Sequence, residues 1–134
     1  MESDYGQSEK YEVQGRKSRG EVQIARLLER NRIKYKYEQP LAVIDRGKTR
    51  IWYPDFYLPE YAMIIEYFGV NGDSGYNERT KHKVDVYKQA GIEGVFLDES
   101  SLKGDWPNKI MGQVEDILKN RLDRFYNRQE GNKK

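Results

Sequence analysis

The chain has 134 residues, 37% of them hydrophobic and 34% charged, the size and balance of one globular domain with a single core. It contains no cysteine, so disulfide scaffolds, thiolate zinc sites and cysteine nucleophiles are excluded, and a reducing compartment is tolerated. A formal charge of +2 is too small to imply a polyanionic partner by itself; with an acidic, polar start at Met1-Glu2-Ser3-Asp4 and no apolar run of about 18 residues, the expectation is a soluble, cytoplasmic protein without a membrane span.

Residues 1–17 are polar, carry Gly6 and Gly15 and show no sustained period, which predicts a flexible arm. Ser18-Arg19-Gly20-Glu21 has the form of a capping box, and Ile24, Leu27 and Leu28 follow at helical spacing, predicting a helix over 19–31. Ile33, Tyr35 and Tyr37 then alternate with Lys34 and Lys36, the pattern of a half-exposed strand. Pro40 interrupts the extended segment after it, and Arg46-Gly47-Lys48 is turn chemistry. Strands are predicted over 49–58 and 61–68, joined tightly at Pro59-Glu60, and Ala62-Met63-Ile64-Ile65 lacks polar alternation, so the later strand is expected to be central and buried on both faces. A loop at 71–75 leads to a helix over 76–90, closed by Gly91 as its C′ residue. A short strand follows over 94–97, then a turn-rich stretch and a helix over 107–126 with Ile110, Val114, Ile117, Leu118, Leu122 and Phe125 on one side. The expected order is αβββαβα: an α/β domain over 18–127 with a mixed four-stranded sheet flanked by helices, and a frayed basic tail over 128–134.

Charge is unevenly distributed along this frame. Between Arg16 and Arg50 there are eleven Lys and Arg against four acids, and the end of the chain from Lys119 is again basic. Basic zones around a more acidic centre suit a polyanion approaching a carboxylate site, and equally a solvated, salt-bridged surface. The residues that carry chemistry lie in Tyr53-Pro54-Asp55-Phe56 and Ile64-Ile65-Glu66-Tyr67. An acid inside an apolar strand is costly unless paired or metal-bound. Pairing of the two strands would bring Asp55 and Glu66 to the same height, where two converging oxygen ligands favour a hard cation such as Mg²⁺ or Mn²⁺. The alternative is that each acid caps or salt-bridges a neighbouring arginine such as Arg50 or Arg79.

At about 100° per residue, Tyr87, Thr80, Val84 and Val86 define the inward face of the 76–90 helix, and Lys83 falls near its middle. Lys81, Lys88 and Asp85 point outward, and Arg79 borders the inward face. A lysine on an apolar face seeks an acidic partner, which the strand carboxylates would supply, or else snorkels at the helix edge. Glu21 faces inward in the first turn of its helix, either as the acid of the capping box or as a further member of the site. His82 lies away from the apolar centre and reads as a surface residue. The tyrosines at 35, 37, 53, 57 and 61 read as strand packing rather than base stacking.

In order and spacing these segments resemble the PD-(D/E)xK nuclease superfamily, with its restriction-endonuclease-like fold. The resemblance covers about 18–97 and rests on Ser-Arg-Gly-Glu opening a helix, Pro54-Asp55-Phe56, Ile65-Glu66-Tyr67-Phe68-Gly69, and Arg79, Lys83 and Tyr87. The usual motif places its lysine two residues after the glutamate, where this chain has Phe68; in some branches the lysine comes from the following helix, and Lys83 matches those. The resemblance implies a Mg²⁺-dependent DNA endonuclease, with Mn²⁺ substituting, of a structure-specific, nicking or homing type. It further implies that Asp55, Glu66 and the Tyr67 backbone carbonyl hold the ion, with Glu21 assisting, that Lys83 is catalytic, and that Arg79 and Tyr87 contact the phosphate or support the site. The partner expected is DNA, with a homodimer or a larger nucleoprotein complex as ways of cutting two strands. The rival expectation is an inactive nucleic-acid-binding module of the same fold, or a nuclease subunit of a larger complex.

Overall fold

The computed structural model describes residues 18–69 and 74–132, so the expected arm over 1–17 and part of the loop before the second helix lie outside the described residues. Helix α1 (Arg19–Arg30) is followed by strands β1 (Lys36–Tyr37), β2 (Leu41–Asp45), β3 (Lys48–Trp52), β4 (Phe56–Leu58) and β5 (Met63–Tyr67). Helix α2 (Ser74–Gln89), strand β6 (Gly94–Leu97), a short 3-10 helix (Glu99–Leu102) and helix α3 (Trp106–Asn132) complete the chain. Among the described residues no helix is long and apolar enough to cross a membrane.

The main sheet has four strands in the order β1-β4-β5-β6 and is mixed, β5 pairing antiparallel with β4 and parallel with β6. Two departures from the predicted αβββαβα order stand out. The segment predicted as one strand over 49–58 is two strands, and the stretch before it forms β2, so that β2 and β3 make a separate two-stranded hairpin. The break falls at Pro54, which has no amide to give to a ladder. A two-residue loop, Arg46 (φ 52) and Gly47 (φ 79), closes the hairpin, the left-handed pair that matches strand twist. At the chain's end α3 continues through Asn132, so residues 128–132, expected as a frayed tail, are helical, and residues 128–131 are exposed.

Helix α1 starts where its capping residues direct, the Ser18 Oγ accepting the Glu21 amide at 3.2 Å. The first strand pairs over only two residues, yet Ile33, Tyr35 and Tyr37 are buried while Lys34 and Lys36 are exposed, as the alternation requires. Helix α2 ends in a Schellman turn: the Ile92 amide reaches the Tyr87 carbonyl at 3.0 Å, the Gly91 amide reaches Lys88, and Gly91 takes φ 74.

Strand β5 is central, and its successive residues serve two cores. Met63 and Ile65 point into the larger one, with Phe56, Leu58, Val95 and the buried faces of α1 and α3. Ile64 points the other way, into a smaller core with Val43, Val86 and Tyr87 under α2 and the hairpin. At about 1.5–3 kcal/mol for each large apolar side chain taken from water, this double burial accounts for the continuous apolar run in β5.

Arg121 of α3 fastens that helix to the sheet. Its guanidinium donates to the Tyr61 and Ala62 carbonyls, at 2.5 and 2.9 Å, in the turn before β5, and to Glu93 Oε1 at 2.5 Å. Arg124 reaches the other Glu93 oxygen at 3.4 Å. Burial pushes the Glu93 carboxyl up, but the hydrogen bonds and charges of Arg121 and Arg124 outweigh it and hold the group below 4.5. Because the folded value is depressed, the stability it contributes is present above pH 4.5 and is lost as pH falls through the lower, folded value. Glu93→Gln is expected to flatten the acid-side decline in the urea unfolding midpoint, whereas Arg121→Ala, which also strips two carbonyls of their donor, should cost about 1–3 kcal/mol at neutral pH.

Candidate functional site

The β4–β5 ladder pairs Phe56 with Ile65, so the next positions outward, Asp55 and Glu66, stand opposite each other. There the carboxylates take over from the ladder. The Asp55 amide donates to Glu66 Oε1 at 2.6 Å, and the Tyr67 amide donates to Asp55 Oδ2 at 2.7 Å, each acid bonding the backbone of the other strand. Glu66 is 2% exposed, the one buried charged residue among the described residues.

Strand alternation puts Glu66 on the same face of β5 as Ile64, toward α2. Lys83 of α2 meets it there, its Nζ lying 2.9 Å from Glu66 Oε2. The helical wheel had singled out Lys83, and it is the lysine of that helix paired to a strand carboxylate, while Lys81 and Lys88 are exposed. Its ammonium lies 5.9 Å from the ring centroids of both Trp52 and Phe68, within cation–π range. Phe68 lies two residues beyond Glu66 and stacks on Phe96, so its ring lines the same face. The Lys83 side chain is 40% exposed against 3% for Glu66, so the cluster is closed on the sheet side and open to solvent past the lysine.

Tyr87, one turn along from Lys83, is fully buried, edge-on to Trp52 at 5.2 Å and stacked against Phe96 at 6.1 Å. Among the described residues its hydroxyl has no hydrogen-bond partner. Burial, and after it the charges of Glu66 and Asp55, push that hydroxyl far above the usual tyrosine range, so it stays neutral. Its place is under the site, as support for the rings around Lys83. Arg79 is exposed on α2, one turn before Lys83.

Glu21 is part of the cap of its own helix. Helix α1 packs on the other face of the sheet, among the core that receives Met63 and Ile65, and Ser18 Oγ donates to Glu21 Oε1 at 3.0 Å. Among the described residues no three His, Asp or Glu side chains gather to hold a metal ion, so the expected convergence of Glu21 with Asp55 and Glu66 is not found. What α1 gives this end of the sheet is closeness: a Cβ on Gly20 would lie 2.4 Å from the Tyr67 ring.

Of the residues the resemblance implies as ligands, Asp55 and Glu66 are brought side by side, and the Tyr67 amide bonds Asp55 between them. The two bonds to Glu66 use two of about four acceptor sites on a carboxylate. A pair of carboxylates fits Mg²⁺ or Mn²⁺, cations that keep several waters and take further oxygen ligands from a phosphate.

The wheel set His82 aside as a surface residue, and the structure shows its partner: its Nε2 lies 2.8 Å from Asp45 Oδ1, joining α2 to the hairpin. The contact depends on β2, a strand that Pro40 obscured in the sequence. Comparison of the chain with family models, with curated proteins and with solved structures finds no match.

Two substitutions probe this geometry through stability. Gly20→Ala gains helix propensity but must displace the Tyr67 ring, and a net loss of about 1–2 kcal/mol is expected from denaturant unfolding. Tyr87→Phe keeps the ring packing and removes an unpartnered buried hydroxyl; the unfolding midpoint should stay level or rise, by up to about 1 kcal/mol.

Proposed function

We propose that the chain is a metal-dependent endonuclease that hydrolyses phosphodiester bonds in DNA, related to the PD-(D/E)xK superfamily through a branch that draws its lysine from the helix after the glutamate strand. The observation that carries this reading is the meeting of Asp55, Glu66 and Lys83: two carboxylates side by side with an ammonium 2.9 Å from one of them, at the solvent-open end of a strand pair. An all-structural ion pair would serve stability poorly, since replacing buried charges by apolar side chains is often neutral or stabilising.

In this reading Asp55 and Glu66, with the Tyr67 carbonyl, hold a Mg²⁺ ion. When bound, such a cation acidifies an attacking water and neutralises charge growing on the scissile phosphate. Lys83 turns its exposed side toward the phosphate and donates to a non-bridging oxygen or orients the water. The Asp55 and Tyr67 amides fix the two carboxylates, so neither reorganises as charge develops. Arg79 contacts the flanking backbone from the same helix, while Tyr87 keeps Trp52 in place beneath Lys83. Glu21 assists from the α1 side, at the rim beyond Tyr67. A homodimer, or assembly into a larger nucleoprotein complex, would let a single site serve both strands of a duplex.

One observation favours a second reading, a catalytically inactive nucleic-acid-binding module. Phe68 fills the usual lysine position, and Lys83 already neutralises Glu66. The two readings part on one assay. Purified protein is incubated with supercoiled plasmid, a branched junction and single-stranded DNA, with Mg²⁺, Mn²⁺ or chelator. Cleavage should need metal and fall by about 10²-fold or more in Asp55→Asn, Glu66→Gln and Lys83→Ala. Salt-sensitive binding with no cleavage of any substrate would instead select the inactive module.

A further inference from the structure

Neither the carboxylates nor Lys83 explains the β2–β3 hairpin, which lies outside the main sheet and is built beside the site. Register pairs Lys48 with Asp45, Arg50 with Val43 and Trp52 with Leu41, so these six side chains share one face of the hairpin. That face is seated on α2 along β2, where Val43 is buried against Val86 and Tyr87 and Asp45 bonds His82 at 2.8 Å. Along β3 the same face ends at Trp52, 5.9 Å from the Lys83 ammonium. Lys48 and Arg50 therefore form a row that starts at the hairpin tip and runs into the Asp55, Glu66 and Lys83 cluster.

The row is exposed and its charge is not cancelled. Asp45, the hairpin's only acid, is occupied by His82, and among the described residues Arg46, Lys48 and Arg50 make no ion pair. At a strand rise of about 3.3–3.4 Å per residue, Lys48 to Trp52 covers about 13 Å. Lys48 and Arg50, two residues apart on that strand, stand about 7 Å from each other, a spacing that reaches two neighbouring phosphates of one nucleic-acid strand. The opposite face presents Ile44 and Ile51, 63% and 51% exposed, an apolar surface that a two-stranded ribbon can bring to base edges and thymine methyl groups in a major groove.

We propose that the β2–β3 hairpin is the nucleic-acid grip of this protein, with Lys48 and Arg50 holding consecutive backbone phosphates of the strand that enters the site. The proposal rests on the phosphodiester reading and adds to it the element that seats the substrate. Its test measures the affinity for a short DNA duplex as a function of salt, without divalent metal so that nothing is cut. The wild-type chain is compared with Lys48→Ala/Arg50→Ala and with Lys81→Ala/Lys88→Ala, which removes equal charge from the outward face of α2. Each phosphate contact contributes about 0.9 to the slope of log affinity against log salt, so the hairpin pair should lower the slope by about 1.8 and weaken binding at least tenfold. The helix pair should bind as wild type, and both should unfold at the wild-type midpoint. An unchanged slope in the hairpin pair, with wild-type binding intact, overturns the grip and leaves the nuclease reading standing. Absence of duplex binding by the wild-type chain overturns the grip, and absence of metal-dependent cleavage in the plasmid assay separately overturns the nuclease reading. Ile44→Ser/Ile51→Ser turning a dimer into a monomer while leaving duplex affinity untouched would reassign the hairpin to a contact between copies, also against the proposal.

Discussion

The burial of one carboxylate organises this molecule. Glu66 sits in the middle of the sheet with 2% of its surface in water, so its charge must be compensated by groups the fold brings to it. Two are in place, the Asp55 amide on the neighbouring strand and the Lys83 ammonium from α2. Supplying the first requires the β4–β5 ladder to end after Phe56 and Ile65. Supplying the second requires α2 to lie across this face with its third turn over the strand end. The apolar packing of Val86 and Tyr87 on Val43 and Ile64 holds the helix there. Packing and charge compensation thus specify the same docking of helix on sheet, the agreement between levels that a unique fold needs.

Side-chain alternation in β5 then divides the molecule's labour. Ile64 and Glu66 look toward α2, whereas Met63 and Ile65 look toward α1 and α3. The charged cluster of Asp55, Glu66 and Lys83 is on the face with the smaller core, and most of the hydrophobic stabilisation is on the other. With that division Glu21, on α1, joins its own cap at Ser18, and Lys83, on α2, reaches the Glu66 carboxylate. It also gives Gly20 its role, since α1 can approach the end of β5 only where the Tyr67 ring meets a residue without a side chain.

The cluster is closed behind and open in front. Trp52 and Phe68, the latter backed by Phe96, wall the lysine on its protein side, lowering the local dielectric and strengthening its attraction for an anion, while its outer side meets solvent. The hairpin extends this arrangement outward. Asp45 and His82 pin its tip end to α2, so basic residues on β3 are held at a fixed distance from the carboxylates and a strand bound there would already be aligned.

Much of this was legible in the sequence, because periodicity and cost are local properties. The uninterrupted apolar run before Glu66 marked a central strand with an acid that needed partners, and helical arithmetic selected Lys83 over its neighbouring lysines. The cap at Ser18, the Gly91 turn and the final helix were readable from their own residues. The hairpin was not, because β2 and β3 gain their stability from each other and from α2. Pro40 and Pro54 read as interruptions when the pairing partner is unknown. The Asp45 and His82 contact joins residues 37 positions apart and depends on that unseen strand. For Glu21 a wheel says which side of a helix faces inward, not which face of the sheet that helix covers, so its direct convergence with Asp55 and Glu66 could not be judged from the sequence. Sequence alone determined which residues had to be buried and which charges had to be paired. Tertiary structure decided which partners met, because a side chain's direction in a sheet is set by strand register and its neighbours by how the layers stack.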